Sequence, residues 1–113
     1  MITIYHNPRC GKSRDCLAFI QNSNNEFEII KYLETPLNYK ELEIIIQKLQ
    51  LKPIALIRKK ETIWLEKFKN ETLSDKQIIQ AMVDFPILIE RPIAVNGDKA
   101  VIARPFEKIQ TII

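Results

Sequence analysis

The chain has 113 residues, 46% of them hydrophobic and 27% charged, which is ordinary for a folded protein and argues against disorder. Seventeen Lys and Arg against fourteen Asp and Glu leave a net charge of +3, spread along the chain and too weak for a nucleic-acid footprint. No apolar run approaches the roughly 20 residues that span a bilayer. The start Met-Ile-Thr-Ile-Tyr-His lacks the regions of a signal peptide, so a cytoplasmic protein is expected. Two cysteines in a reducing compartment then point to reactivity or packing rather than to a structural disulfide.

Ile2-Thr3-Ile4-Tyr5 reads as a strand, and Ser13 to about Asn22 as a helix with Cys16, Leu17 and Ile20 at helical spacing. Glu26 to Tyr32 reads as a second strand, and so compact a β-α-β order implies a parallel crossover. From about 36 to 86 the pattern is helical. Leu42, Ile45, Ile46 and Leu49 form one apolar stripe, and Ile78, Ile79, Met82 and Val83 another. Asn38 with Glu41, and Ser74 with Gln77, have the spacing of capping boxes. Pro53 opens a short turn between these helices. Trp64 and Phe68, four apart, read as a helical core stripe. Ile93-Ala94-Val95 and Lys99 to Ala103 are two strands joined at Asn96-Gly97, and a last helix after Pro105 would use Ile109, Ile112 and Ile113 as its apolar face. The expectation is one domain, residues 1–113, of α/β class. Its order β-α-β, inserted helices, β-β-α is that of a thioredoxin-like mixed four-stranded sheet with flanking helices, which does not by itself establish function.

The best lead to function is Cys10, where an apolar strand passes through a polar turn into a helix. The first backbone N–H groups of a helix lack intrahelical partners, and the peptide dipoles leave partial positive charge there. A thiolate at that point is favoured over the thiol, so the pKa falls from about 8.5. Arg9, Lys12, Arg14 and His6 add cationic or protonatable groups nearby. The same geometry receives a tetrahedral oxyanion beside the sulfur. Arg91 and Arg104 stand at Arg-Pro boundaries flanking the same hairpin and so converge in space, and Arg58 follows an apolar segment. Guanidinium groups bind oxyanions in a bidentate manner at every relevant pH. A cis bond at Arg91-Pro92 is a reasonable expectation. Cys16 lies on the apolar stripe, six residues and about 9 Å of helical rise from Cys10, beyond disulfide reach. Core packing is its expected role, so resolution of Cys10 falls to an external thiol. With one histidine and two cysteines, no metal-ligand spacing exists, and with two glycines there is no Gly-rich phosphate loop.

The chain resembles the glutaredoxin-dependent arsenate reductase family and its arsenate-reductase-like relatives. The matching pieces are His6-Asn7-Pro8-Arg9-Cys10 with Lys12-Ser13-Arg14, Tyr32 to Pro36, Leu56-Ile57-Arg58, Met82 to Leu88, Glu90-Arg91-Pro92-Ile93 and Ala103-Arg104-Pro105, spanning nearly the whole chain. The resemblance implies an oxidoreductase of arsenic detoxification: Cys10 attacks arsenate held by Arg58, Arg91 and Arg104, forming a covalent arsenic adduct. Glutathione, as co-substrate, attacks this adduct, arsenite leaves, and a Cys10–glutathione mixed disulfide remains for glutaredoxin to resolve. His6 would tune the thiolate electrostatically, or be a partly buried strand-end histidine. Ser13 would donate to the thiolate, or cap the helix. No bound cofactor is implied, and arsenate or a similar oxyanion, glutathione and glutaredoxin are the expected partners of a monomer that binds neither nucleic acid nor membrane. Lys12 stands where well-characterised members tend to carry Thr, and the chain ends at Ile113 without their C-terminal extension, as in the arsenate-reductase-like branch. Two other readings stay open. A redox-sensing, RNA-polymerase-binding regulator of the Spx type would usually carry a Cys-x-x-Cys switch, whereas position 13 here is Ser. A glutathione-dependent thiol oxidoreductase acting on another substrate fits the same residues.

Overall fold

A computed structural model describes residues 1–113. The chain forms two compact units, one of residues 1–35 with 91–113 and the other of residues 36–90.

The first unit is built on a four-stranded sheet in the order β2-β1-β3-β4, with β1 at Ile2–His6, β2 at Phe27–Lys31, β3 at Ile93–Asn96 and β4 at Lys99–Ile102. β1 runs parallel to β2 and antiparallel to β3, which pairs antiparallel with β4. The sheet is therefore mixed, with the parallel β-α-β crossover and closing hairpin of a thioredoxin-like fold. Strand alternation turns Ile2, Ile4 and His6 of β1 inward. Helix α1, Gly11–Gln21, buries Ser13, Cys16 and Ile20, which recur at i, i+3 and i+7 on one face. These residues meet in a core of Ile2, Ile4, Cys16, Ile20, Ala94, Ala103 and Ile109, with Leu17 and Phe19 packed against it.

Two details differ from expectation. The hairpin turn is Gly97-Asp98 rather than Asn96-Gly97, because Asn96 still pairs with Lys99. Gly97 has φ of +64° while Asp98 is not in the left-handed region, so only one turn position needs glycine's freedom. The last element is not an α-helix but a 3-10 helix, Phe106–Thr111. Its i to i+3 repeat brings Ile109 and Ile112 inward and leaves Ile113 in solvent.

The second unit contains α2 (Tyr39–Leu49), α3 (Thr62–Lys67) and α4 (Asp75–Asp84), with 3-10 turns at Pro53–Leu56 and Pro86–Leu88. Both capping boxes form. Asn38 and Ser74 accept from the backbone N–H groups of Glu41 and Gln77, whose side chains bond back to the cap N–H groups. The stripes Leu42/Ile45/Ile46 and Ile78/Ile79/Met82 are buried. Trp64 is buried, with Phe68 at 5.5 Å between ring centroids and Phe85 beyond it at 6.0 Å. The unit continues past the helical pattern to Glu90. An antiparallel bridge joins Ile57 to Ile89, and the Glu90 N–H donates to the Leu56 carbonyl at 2.8 Å.

Candidate active site

β1 ends at His6, and the next four residues form a tight turn. Asn7 precedes Pro8, and the Cys10 N–H donates to the Asn7 carbonyl at 3.0 Å, closing a β-turn with proline at its second position, where a fixed φ suits it. The Asn7 Oδ1 accepts from the Arg9 N–H at 3.0 Å. Cys10 is the N-cap of α1, with extended backbone, and its own carbonyl accepts the first helical bond from the Arg14 N–H. Arg14 Nη1 also donates to the Pro8 carbonyl at 3.1 Å. The turn thus sets the sulfur at the point where the helix leaves its first N–H groups without intrahelical partners.

The surroundings of Cys10 act in two directions on its pKa. Partial burial, the largest single effect, favours the neutral thiol. Against it stand the backbone N–H of Ser13, a side-chain hydrogen bond from Arg91, the backbone N–H of Lys12 and the positive charge of Arg91, and together they hold the thiol below its ordinary value. Arg104 Nη1 lies 4.0 Å from the sulfur and donates to the Arg91 carbonyl at 3.2 Å. The two Arg-Pro boundaries therefore converge on Cys10, and both peptide bonds are cis, Arg104-Pro105 as well as the expected Arg91-Pro92. Cys16 is the chemical opposite. It is fully buried, and burial pushes its thiol up to about 11. Both cysteines are free.

The structure places His6, buried, at the end of β1, and joins the Ser13 hydroxyl to it and to the Asn7 N–H. Burial first, then the charge of Lys31, depress the His6 pKa; a hydrogen bond to Ser13 opposes them and Arg14 adds to them, and the net shift is downward. The imidazole is thus mostly neutral at pH 7 and offers Cys10 no full positive charge. Its Nδ1 lies 2.7 Å from Ser13 Oγ. That hydroxyl also accepts from the Asn7 N–H at 3.0 Å. The N-cap has no side-chain hydrogen bond, so the Ser13 hydroxyl does not cap the helix; it is the Ser13 backbone N–H that faces the sulfur. The reason is positional: Ser13 sits one turn before Cys16 on the inward face of α1, where its side chain meets His6 on the inward face of β1.

Arg58 lies in the second unit. Its Nη1 pairs with Glu90 Oε1 at 2.8 Å, and its Nε is buried without a hydrogen-bond partner. Cys10, His6, Ser13, Arg91 and Arg104 all belong to the first unit. Sequence reasoning gave Asn7 no role, although it is 97% buried and takes part in three bonds of the turn. The signal was there: an Asn two residues ahead of Arg9 and directly before Pro8 is a common turn opener. No helix is long and apolar enough to cross a membrane.

Comparison with known proteins places this geometry in context. The ArsC family model matches residues 5–112. An arsenate reductase of Yersinia enterocolitica is 44% identical over 113 residues, covering 99% of this chain and 80% of its own. The uncharacterized protein YfgD of Escherichia coli K12 is 41% identical over 114 residues, covering 99% of this chain and 96% of its own. The solved structure of an arsenate reductase from Vibrio cholerae superposes with a TM-score of 0.93 at 40% identity, covering 99% of this chain and 97% of that one.

Proposed function

The chain belongs to the ArsC family, and from that premise we propose that it reduces arsenate to arsenite with Cys10 as nucleophile, glutathione as co-substrate and glutaredoxin as the resolving partner. The observation that carries the proposal is the position of Cys10, at a helix N-terminus with the Lys12 and Ser13 N–H groups and the Arg91 guanidinium favouring its thiolate.

The groups that favour the thiolate also suit the reaction. The thiolate attacks arsenic: a sulfur–arsenic bond forms as an arsenic–oxygen bond breaks, and the leaving hydroxyl takes a proton from solvent to depart as water. Charge on the remaining oxygens is met by the helix N–H groups and by Arg91 and Arg104. A glutathione thiolate then attacks Cys10 Sγ. The new disulfide bond forms as the sulfur–arsenic bond breaks, and that electron pair stays on arsenic, which departs as arsenite. A glutaredoxin thiolate attacks the glutathione sulfur and frees Cys10. Cys16, buried with its thiol pushed up to about 11, is a poor internal resolver, which favours an external thiol. His6 and Ser13 act here as positioning groups: the hydroxyl bridges the imidazole and the Asn7 N–H, and so holds the strand end, the turn and the first turn of α1 together.

The test is purified protein with arsenate, glutathione and glutaredoxin, assayed for arsenite. Production above a Cys10→Ser control is the expected result. No arsenite above that control, with glutathione-dependent reduction of a different substrate, would replace this reading by that of a thiol oxidoreductase.

A further inference from the structure

We infer that Asn7 is a positioning residue for Cys10, its side-chain amide oxygen locking the turn that delivers the sulfur to the N-terminus of α1. Three bonds carry this. The Asn7 Oδ1 accepts from the Arg9 N–H at 3.0 Å, its carbonyl accepts from the Cys10 N–H at 3.0 Å, and its own N–H donates to Ser13 Oγ at 3.0 Å. One residue therefore ties both central links of the turn and joins the turn to the helix. Only the first of these bonds belongs to the side chain, so it can be removed without deleting the backbone groups.

Asn7 is 97% buried, and a buried polar side chain is costly unless its bonds are made. The amide meets that condition through its Oδ1, and an apolar residue at the same place would leave the Arg9 N–H without that partner. What it secures is local. Without Oδ1 the Arg9 N–H loses its partner, the turn gains freedom between Pro8 and Cys10, and the sulfur spends less time against the Lys12 and Ser13 N–H groups that favour the thiolate. Asn7 reaches Cys10 through the backbone of the turn, by way of the Arg9 and Cys10 N–H groups.

The inference rests on Cys10 being the reactive group, and the test reads that separately. The pH midpoint of Cys10 alkylation by iodoacetamide is measured for wild type, Asn7→Ala and Asn7→Ser, with thermal melting as a check on folding. Asn7→Ala is expected to raise the midpoint by about one unit. Asn7→Ser, which restores a short acceptor two residues ahead of Arg9 without adding charge, is expected to recover part of that shift. Should Asn7→Ala fail to fold, Asn7→Gln serves instead: it keeps the amide but overreaches the bond, and it is expected to shift as Ala would. A lowered melting temperature with an unmoved midpoint in the folded variants means that Asn7 is merely structural, and overturns the inference. A wild-type midpoint at the ordinary thiol value would instead overturn the reading of Cys10 itself.

Discussion

Removing the Arg91 guanidinium isolates the side-chain contribution to Cys10 from that of the helix. Arg91 acts on the sulfur twice, by a hydrogen bond and by its charge. A hydrogen bond to a charged group contributes about 1.5 to 3 kcal/mol. Cys10 is partly exposed, so solvent screening favours the lower end. Arg91→Gln also admits water to the sulfur, which relieves some of the burial penalty and reduces the effect further. At about 1.4 kcal/mol per unit, the expected rise in the Cys10 pKa is about one unit. Below both midpoints that corresponds to roughly tenfold less thiolate. The assay is ultraviolet thiolate absorbance against pH, in which Cys16 stays silent until the region of its own pKa, about 11. Arg104→Gln serves as a comparison, since its Nη1 stands 4.0 Å from the sulfur and a smaller rise is expected. An unmoved midpoint in Arg91→Gln would refute the assignment of that charge to the thiolate. A larger shift in Arg104→Gln than in Arg91→Gln would reverse the order of the two arginines.

Cys10→Ser is expected to abolish arsenate turnover with the fold retained, and Cys16→Ser to leave turnover in place; equal loss in both would contradict a single nucleophile. Arsenate binding measured by calorimetry in Arg104→Ala should weaken, and unchanged affinity would remove that residue from the site. His6 gives a stability prediction with a definite sign. Its folded pKa lies below the unfolded value of 6.5, so between the two the unfolded chain binds more protons, and stability falls as pH drops below about 6.5. Denaturant midpoints from pH 7.5 down to 5 should show this fall in wild type and less of it in His6→Gln, and parallel curves for the two proteins would contradict it.

The elements that could be read from the sequence are those whose signal is local. The alternation of Ile2 and Ile4, the 3.6-residue stripe through Cys16 and Ile20, and the Asn38 and Ser74 capping boxes each depend on neighbours a few residues away, and each is found as read. The convergence of the Arg91 and Arg104 segments on Cys10 followed from one hairpin, another short-range feature. Arrangements that depend on tertiary contact were not legible. Ser13 belongs to the buried stripe of α1, yet a serine inside an apolar pattern does not announce that its partner is a histidine seven residues back on a strand. The charge state of His6 follows from its burial, which the polar run around it concealed. Arg58 carries an ion pair to Glu90, thirty-two residues away, set by a bridge that no periodicity marks. The final 3-10 segment fits a 3.6-residue pattern almost as well; its i to i+3 backbone bonds and the exposure of Ile113 separate the two.

The most direct test of the central claim is to stop the cycle before glutaredoxin acts. Protein mixed with arsenate and glutathione alone, quenched with acid and digested for mass spectrometry, is predicted to carry glutathione on Cys10, only when both reagents are present, and none on Cys16. Cys10 left unmodified while arsenite accumulates, or glutathione found on Cys16, would contradict it.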